Sequence, residues 1–354
     1  MRAWAVVENG KPLQELELPT PEPKGTEVLV EVTHCGVCHS DLHIWEGYYD
    51  IGGGQKMSLA DRGVTLPLAM GHEIVGRVAK LGPDAKGVKV GDIRIVYPWL
   101  GCGTCETCLA EEDNMCVRAA RSLGVYANGG YGTHVIAPHP RHLIDPGKVD
   151  SAVAATYACS GITVFSAIKK AMPVPPHEPI VLVGAGGLGL NAIKVLLALK
   201  HQNIISVDIS PEKRETALKA GAHKVVDGNG PDVAKRIIEA AGGPVLAVID
   251  LVNGTQTARF AFGALRKGGK LIQVGLFGGE LMLPLPIMAI RALTVQGSYV
   301  GNPKELRELI KLAQEGSLEA LPVTTVPQNQ ADAALMRLRD GKVTGRLVLK
   351  AEAA

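Results

Sequence analysis

The sequence has no excess of either charge. Its 354 residues hold 37 Lys and Arg against 35 Asp and Glu, a formal charge of +2. That balance gives no case for nucleic acid or an acidic membrane surface as a partner. Long apolar runs are missing too. The longest are strand-length or broken by Gly, Pro or charge, so no membrane span is expected. Met1 to Glu8 lacks the apolar run of a signal peptide, which makes the cytosol the expected compartment. There is no internal repeat and no low-complexity segment. With 46% hydrophobic and 20% charged residues, disorder is excluded as well.

The length suits two domains and a core that needs no disulfides. The first third reads as all-β, with short β-branched runs at Val28–Val32, Ile74–Val78 and Ile93–Val96. The stretch from Asp50 to Thr65, with Gly52–Gly54, reads as a loop or a poorly packed insertion. From Ile180 the pattern changes to strand and helix in alternation, with strands at Ile180–Val183, Ile204–Asp208, Lys224–Val226, Val245–Asp250 and Gly269–Gly275. Near-continuous apolar strands between helices predict a parallel sheet covered on both faces. The tail predicts helices over Pro303–Glu315 and Gln330–Arg339 and a closing strand over Gly345–Lys350.

Gly184-Ala185-Gly186-Gly187-Leu188-Gly189 fits G-x-G-x-x-G between an apolar strand and a helix, with Asp208 at the end of the next strand. Gly184 permits the tight turn, Gly186 lets the backbone approach a pyrophosphate, and Gly189 lets helix and strand pack closely. Free N–H groups at the helix start attract phosphate. Asp208 would bind the adenosine ribose and repel a 2′-phosphate, favouring NAD over NADP. A glycine-rich turn that binds nothing is the alternative.

In a reducing compartment, seven Cys suggest metal or catalysis rather than disulfides. Cys102, Cys105, Cys108 and Cys116 follow a C-x2-C-x2-C-x7-C spacing that brings four thiolates to one ion. Four thiolates leave no open position, so that site is structural. Zinc and an iron–sulfur cluster both suit it. Cys35, Cys38 and Cys159 remain, with His72 in Gly71-His72-Glu73. Cys and His from distant segments can form a three-ligand site with an open fourth position. Spacing alone does not show that they meet.

Five ordered motifs complete the pattern: Cys38-His39-Ser40-Asp41-Leu42-His43, Gly71-His72-Glu73, the four-Cys lobe, Cys159-Ser160-Gly161-Ile162-Thr163, and the glycine fingerprint followed by Gly345-Arg346. Together they resemble the zinc-dependent medium-chain alcohol dehydrogenases, in particular the tetrameric microbial NAD-dependent branch. The resemblance implies an α/β protein with a β-rich GroES-like catalytic domain, residues 1–157 and 300–354. A Rossmann domain, residues 158–299, interrupts it, and the active site lies in the cleft between.

It implies two zinc ions per chain, a catalytic one on Cys38, His72 and Cys159 and a structural one on the four-Cys lobe. It makes Glu73 a near-zinc carboxylate and Asp41 the acceptor for the His72 N–H. Cys35 has no ligand role. Ser40 accepts the alcohol proton and passes it through the cofactor ribose to His43. His39, Thr163, Gly187, Leu188, Val274 and Arg346 contact the cofactor. Lys213 is either a second ribose contact or a solvated helix residue. Trp45 and Trp99 either narrow the substrate pocket or pack the core. Ile93 interrupts the usual Gly-Asp-Arg step and leaves the strand register there in doubt.

The implied activity is reversible NAD-dependent oxidation of primary or secondary alcohols to aldehydes or ketones. A polyol or threonine dehydrogenase is the alternative within the superfamily; a non-catalytic NAD-binding protein is the alternative outside it. The hydrophobic stretch Leu283–Val295 is expected at a subunit interface, in a homotetramer first and a dimer second.

Overall fold

The alternating second half forms one parallel sheet. The computed structural model describes residues 1–119 and 121–352. Six strands run in the order Lys224–Asp227, Ile204–Asp208, Ile180–Val183, Val245–Asp250, Leu265–Gln273, Thr294–Gly297. Ile180 and Leu182 enter one core and Val181 and Val183 the other, so this strand is buried on both faces. The order reverses beside Ile180–Val183, which opens a crevice at the carboxyl ends of the strands.

The β-branched first third pairs antiparallel around Val28–Gly36, with Glu73–Leu81 on one side and Arg346–Lys350 on the other. Val323–Pro327 runs parallel to Arg346–Lys350, so the tail rejoins the amino-terminal body as expected. Ile93–Val96 pairs with Ile74–Arg77 without a register shift, and Arg94 bonds Asp92 at 2.7 Å. That settles the doubt raised by Ile93.

Other expectations are corrected. The 50–65 stretch is not a plain loop. Tyr48–Asp50 and Lys56–Ser58 form a two-stranded hairpin, and Gly52, Gly53 and Gly54, all at positive φ, turn its tip. A Cβ on Gly52 would lie 2.8 Å from Glu280, so the tip rests on the far body.

One helical stretch, 151–171, is long and apolar enough to cross a membrane, contrary to the reading of interrupted runs. Its most apolar window is 89% buried inside the fold, because it is the helix around which both bodies pack. The expected domain boundary at 157/158 falls inside this stretch, where Ser151–Thr156 passes into a π-helical turn, Tyr157–Gly161, and then into Ile162–Ala171. The chain therefore crosses between bodies on continuous helix rather than on a linker.

Candidate active site and metal centres

The π-turn determines where Cys159 points. One extra residue per turn changes the facing of the side chains, a device common at functional sites. Cys159 Sγ lies 3.9 Å from Cys38 Sγ. Cys38 caps the helix His39–Glu46, and His72 precedes the strand Glu73–Leu81. Donor atoms of Cys38, His72 and Cys159 all lie within 4.8 Å of one another, and all three residues are buried.

Asp41 Oδ1 sits 3.3 Å from His72 Nδ1, which leaves Nε2 buried without a hydrogen-bond partner. Burial opposes a proton on His72, but the Asp41 carboxylate and Cys38 overrule it and hold its pKa well above the ordinary value. A hydrogen bond from Cys159, together with His72, holds Cys38 well below the usual thiol range. One thiolate, a second thiol and an unpartnered imidazole nitrogen fit the Cys2His set with an open position that alcohol dehydrogenases use for catalytic zinc.

Glu73 is fully buried, accepts from Ser160 N at 3.2 Å, and pairs with Arg346. Burial pushes its carboxyl up to about 7 against the pull of Arg346. Only glycine fits at position 36, where a Cβ would meet Glu73 at 2.8 Å or closer. Arg346 also lies beside the fingerprint, because a Cβ on Gly187 would be 2.8 Å from its Cδ. This ion pair therefore joins the metal triad to the phosphate turn.

The glycine turn is tight and closely packed. Gly184 has φ +99, and a Cβ on Gly189 would stand 2.0 Å from Gly184 O. Gly186 faces open space and begins the helix Gly187–Ala198, which has no side-chain cap. Leu188 is half-buried in its first turn. Asp208 accepts from Ala185 N at 2.8 Å and from Ser210 N at 2.9 Å, fixing the carboxylate against the turn. Lys213 lines a cavity with Gly186 and Gly345. Val274 is buried, its N–H on Asp250 O. Thr163 Oγ1 and Arg346 Nε are buried without partners. His39 is exposed, its ring 6.4 Å from the half-buried His43 ring. Cys38 Sγ approaches Ser40 Oγ at 3.9 Å.

Trp99 and Trp45 part company. The Trp99 ring lies 5.1 Å from that of His72, and its N–H donates to Ala158 O at 3.1 Å. Trp45 instead donates to Lys11 O at 2.7 Å and packs under Arg339, so it serves the core. Two aromatic residues not singled out before stand beside His43 and Trp99. The Tyr49 ring lies 5.1 Å from that of His43, and Tyr299 stands edge-on to Trp99 at 5.8 Å.

The four-Cys lobe is built as read. The four sulfurs lie within 4.8 Å of one another. Cys102 Sγ accepts from Cys105 N, and Cys116 Sγ from Cys102 N, both at 3.3 Å. Backbone and side-chain donors of Thr104 lower Cys102 to about 5. This donor set, short Cys-x2-Cys turns with N–H···S bonds, fits a closed tetrahedral zinc.

The residues between Cys108 and Cys116 grip the segment returning from the parallel sheet. Asn114 Nδ2 donates to Tyr299 O at 3.1 Å, Asn302 Nδ2 to Glu112 Oε1 at 2.9 Å, and Arg307 pairs with Glu111 at 2.7 Å. Asp113, buried, binds Arg141 at 2.6 Å.

Known proteins resemble this chain over its whole length. Residues 24–146 match the family described as alcohol dehydrogenase GroES-like domain, and residues 187–315 match zinc-binding dehydrogenase. The chain belongs to the zinc-dependent medium-chain alcohol dehydrogenases, a family of oxidoreductases. An NAD-dependent alcohol dehydrogenase of Saccharolobus solfataricus is 37% identical over 353 residues, covering 99% of each chain. One from Sulfurisphaera tokodaii is 36% identical over the same span. The crystal structure of the alcohol dehydrogenase from Aeropyrum pernix superposes with a TM-score of 0.89 at 32% identity, covering 99% of this chain and 100% of that one.

Proposed function

We propose that this chain oxidises alcohols reversibly to aldehydes or ketones with NAD. The buried Cys38–His72–Cys159 triad, joined by Glu73 and Arg346 to the dinucleotide turn, carries the reading. A panel of small alcohols with NAD, read at the NADH absorbance and paired with metal analysis, tests it. No turnover by zinc-loaded protein would refute it.

Bound to this triad, zinc would polarise the alcohol oxygen and lower its pKa, while NAD in the crevice would supply the hydride acceptor. The chain does the rest. Asp41 keeps Nε2 of His72 turned to the metal. Trp99, Tyr49 and Tyr299 exclude water and cover the apolar part of the substrate. Ser40 takes the hydroxyl proton, and His43 releases it to solvent. Burial, with help from His39, lowers the His43 pKa, so the imidazole is neutral at pH 7 and able to accept. Wild-type rate should therefore fall as pH drops through that lowered pKa. His43→Gln should lose on the order of a hundredfold in kcat at pH 7 and recover part of it at alkaline pH. A pH profile of the variant parallel to wild type would remove His43 from the relay.

Arg346, His39 and the amino end of Gly187–Ala198 hold the pyrophosphate, and Thr163 and Val274 meet the nicotinamide. Asp208 holds the ribose, with Lys213 as a second contact. Asp208→Ala should raise KM for NAD about tenfold and narrow the preference over NADP, because the repulsion of a 2′-phosphate is gone. Equal KM values in variant and wild type would sink that assignment.

The exposed apolar side chains Met282, Leu285 and Ile290 and the edge strand Thr294–Gly297 support self-association, which we read as a homotetramer first and a dimer second. Light scattering decides between them, and a monomer would refute both. The cytosol is the proposed site of action.

A further inference from the structure

Apart from Tyr49, the hairpin 48–58 and the turn after it have no part in the mechanism above, yet they approach His43. The turn is closed by Arg62 N and Val64 N, both donating to Leu59 O. Arg62 Nη1 contacts Met57 Sδ at 3.5 Å, its sole polar side-chain contact among the described residues. Met57 lies directly opposite Tyr49 across the hairpin, and Tyr49 covers His43. The charge of Arg62 is also felt at Tyr49 and at Tyr299. Burial raises the phenol pKa values of both Tyr49 and Tyr299, and the charge of Arg62 opposes the rise at each. Arg62, exposed and without a carboxylate partner among the described residues, is thus linked through Met57 to Tyr49, the ring that covers His43.

An alkanol whose single hydroxyl sits at the metal triad leaves such a cation nothing to bind. We propose that the preferred substrates are alcohols carrying a carboxylate several carbons from the reacting hydroxyl, and that Arg62 binds the carboxylate at the pocket mouth. The guanidinium fork matches a carboxylate in geometry as well as charge. Two ring-to-ring steps, 5.1 Å from His72 to Trp99 and 5.8 Å from Trp99 to Tyr299, separate the metal triad from the outer wall. A 2-hydroxy acid cannot span them; a straight-chain ω-hydroxy acid can, its methylenes against Trp99, Tyr49 and Tyr299. The inference rests on the alcohol-oxidation reading and adds no new reaction. The carbinol C–H electron pair leaves as hydride to NAD, the hydroxyl proton leaves to solvent, and the carboxylate only binds.

The test is a homologous series of straight-chain ω-hydroxy carboxylates, short to medium, beside the n-alkan-1-ols of equal length, on wild type, Arg62→Ala and Arg62→Lys. Wild type should favour the hydroxy acid over the matching alkanol once the chain is long enough. Arg62→Ala should cut that ratio of kcat/KM by on the order of 10- to 100-fold, through KM. Arg62→Lys should keep part of it. Alkanols oxidised as well as hydroxy acids by wild type, or a ratio unchanged in Arg62→Ala, overturns the proposal and leaves alcohol oxidation standing. Failure to oxidise any member of either series overturns both.

Discussion

Cys159→Ala is expected to bind about one zinc per chain where wild type binds two, one at each cysteine cluster. It should lose on the order of a thousandfold or more in kcat. The reason is geometric. Cys159 is the one ligand brought by the crossing helix, and without it Cys38 and His72 hold two of the three protein positions a catalytic zinc needs. Folding should survive, because the removed atom is a single sulfur, though the buried site loses some packing. Metal analysis by mass spectrometry and a steady-state assay on the same sample check both halves. Two ions and full activity in the variant would take Cys159 out of the ligand set and withdraw the assignment of the active site.

Cys108→Ser should act on stability instead. The structural ion ties four segments of one loop, and three of the four thiolates cannot complete a tetrahedron. The variant should lose the lobe zinc, and its Tm should drop by roughly 10 °C or more. Should the variant fail to accumulate, wild type treated with a strong chelator offers the same reading, since metal loss from the lobe then precedes the shift in Tm. An unchanged Tm after the lobe ion is gone would mean that the loop is held by its protein contacts alone.

The parts legible in the sequence were those whose chemistry demands fixed spacing. Four thiolates on one ion require short Cys-x2-Cys turns, and a pyrophosphate turn requires glycine at fixed offsets. The parallel sheet was legible for a similar reason, since strands buried on both faces admit only apolar residues.

The pocket wall was not legible. Trp45 follows His43 by two residues, about 200° around the helix, so it must face away when His43 faces the site. Gly47, at φ +84, then reverses the chain and returns Tyr49 over His43. No periodicity carries through a left-handed turn. Tyr299 and Arg62 arrive from segments more than two hundred residues apart, so neither announces the other. The π-turn at Cys159 left no mark either, because a local change in pitch keeps the apolar composition of a helix.

The grip of residues 111–114 on Tyr299, Asn302 and Arg307 has a consequence for survival in the cell. Chain segments nearly two hundred residues apart are stapled there, with a metal in the place where a secreted protein would carry a disulfide. Such a staple works in a reducing compartment, where a sulfur–sulfur bond would not last. Its strength follows metal supply rather than redox state. Chains made under zinc starvation would emerge with the returning segment unpinned and Tyr299 loose against Trp99, and proteases would find them first. The amount of enzyme, and not only its activity, would then track the zinc available when it was folded.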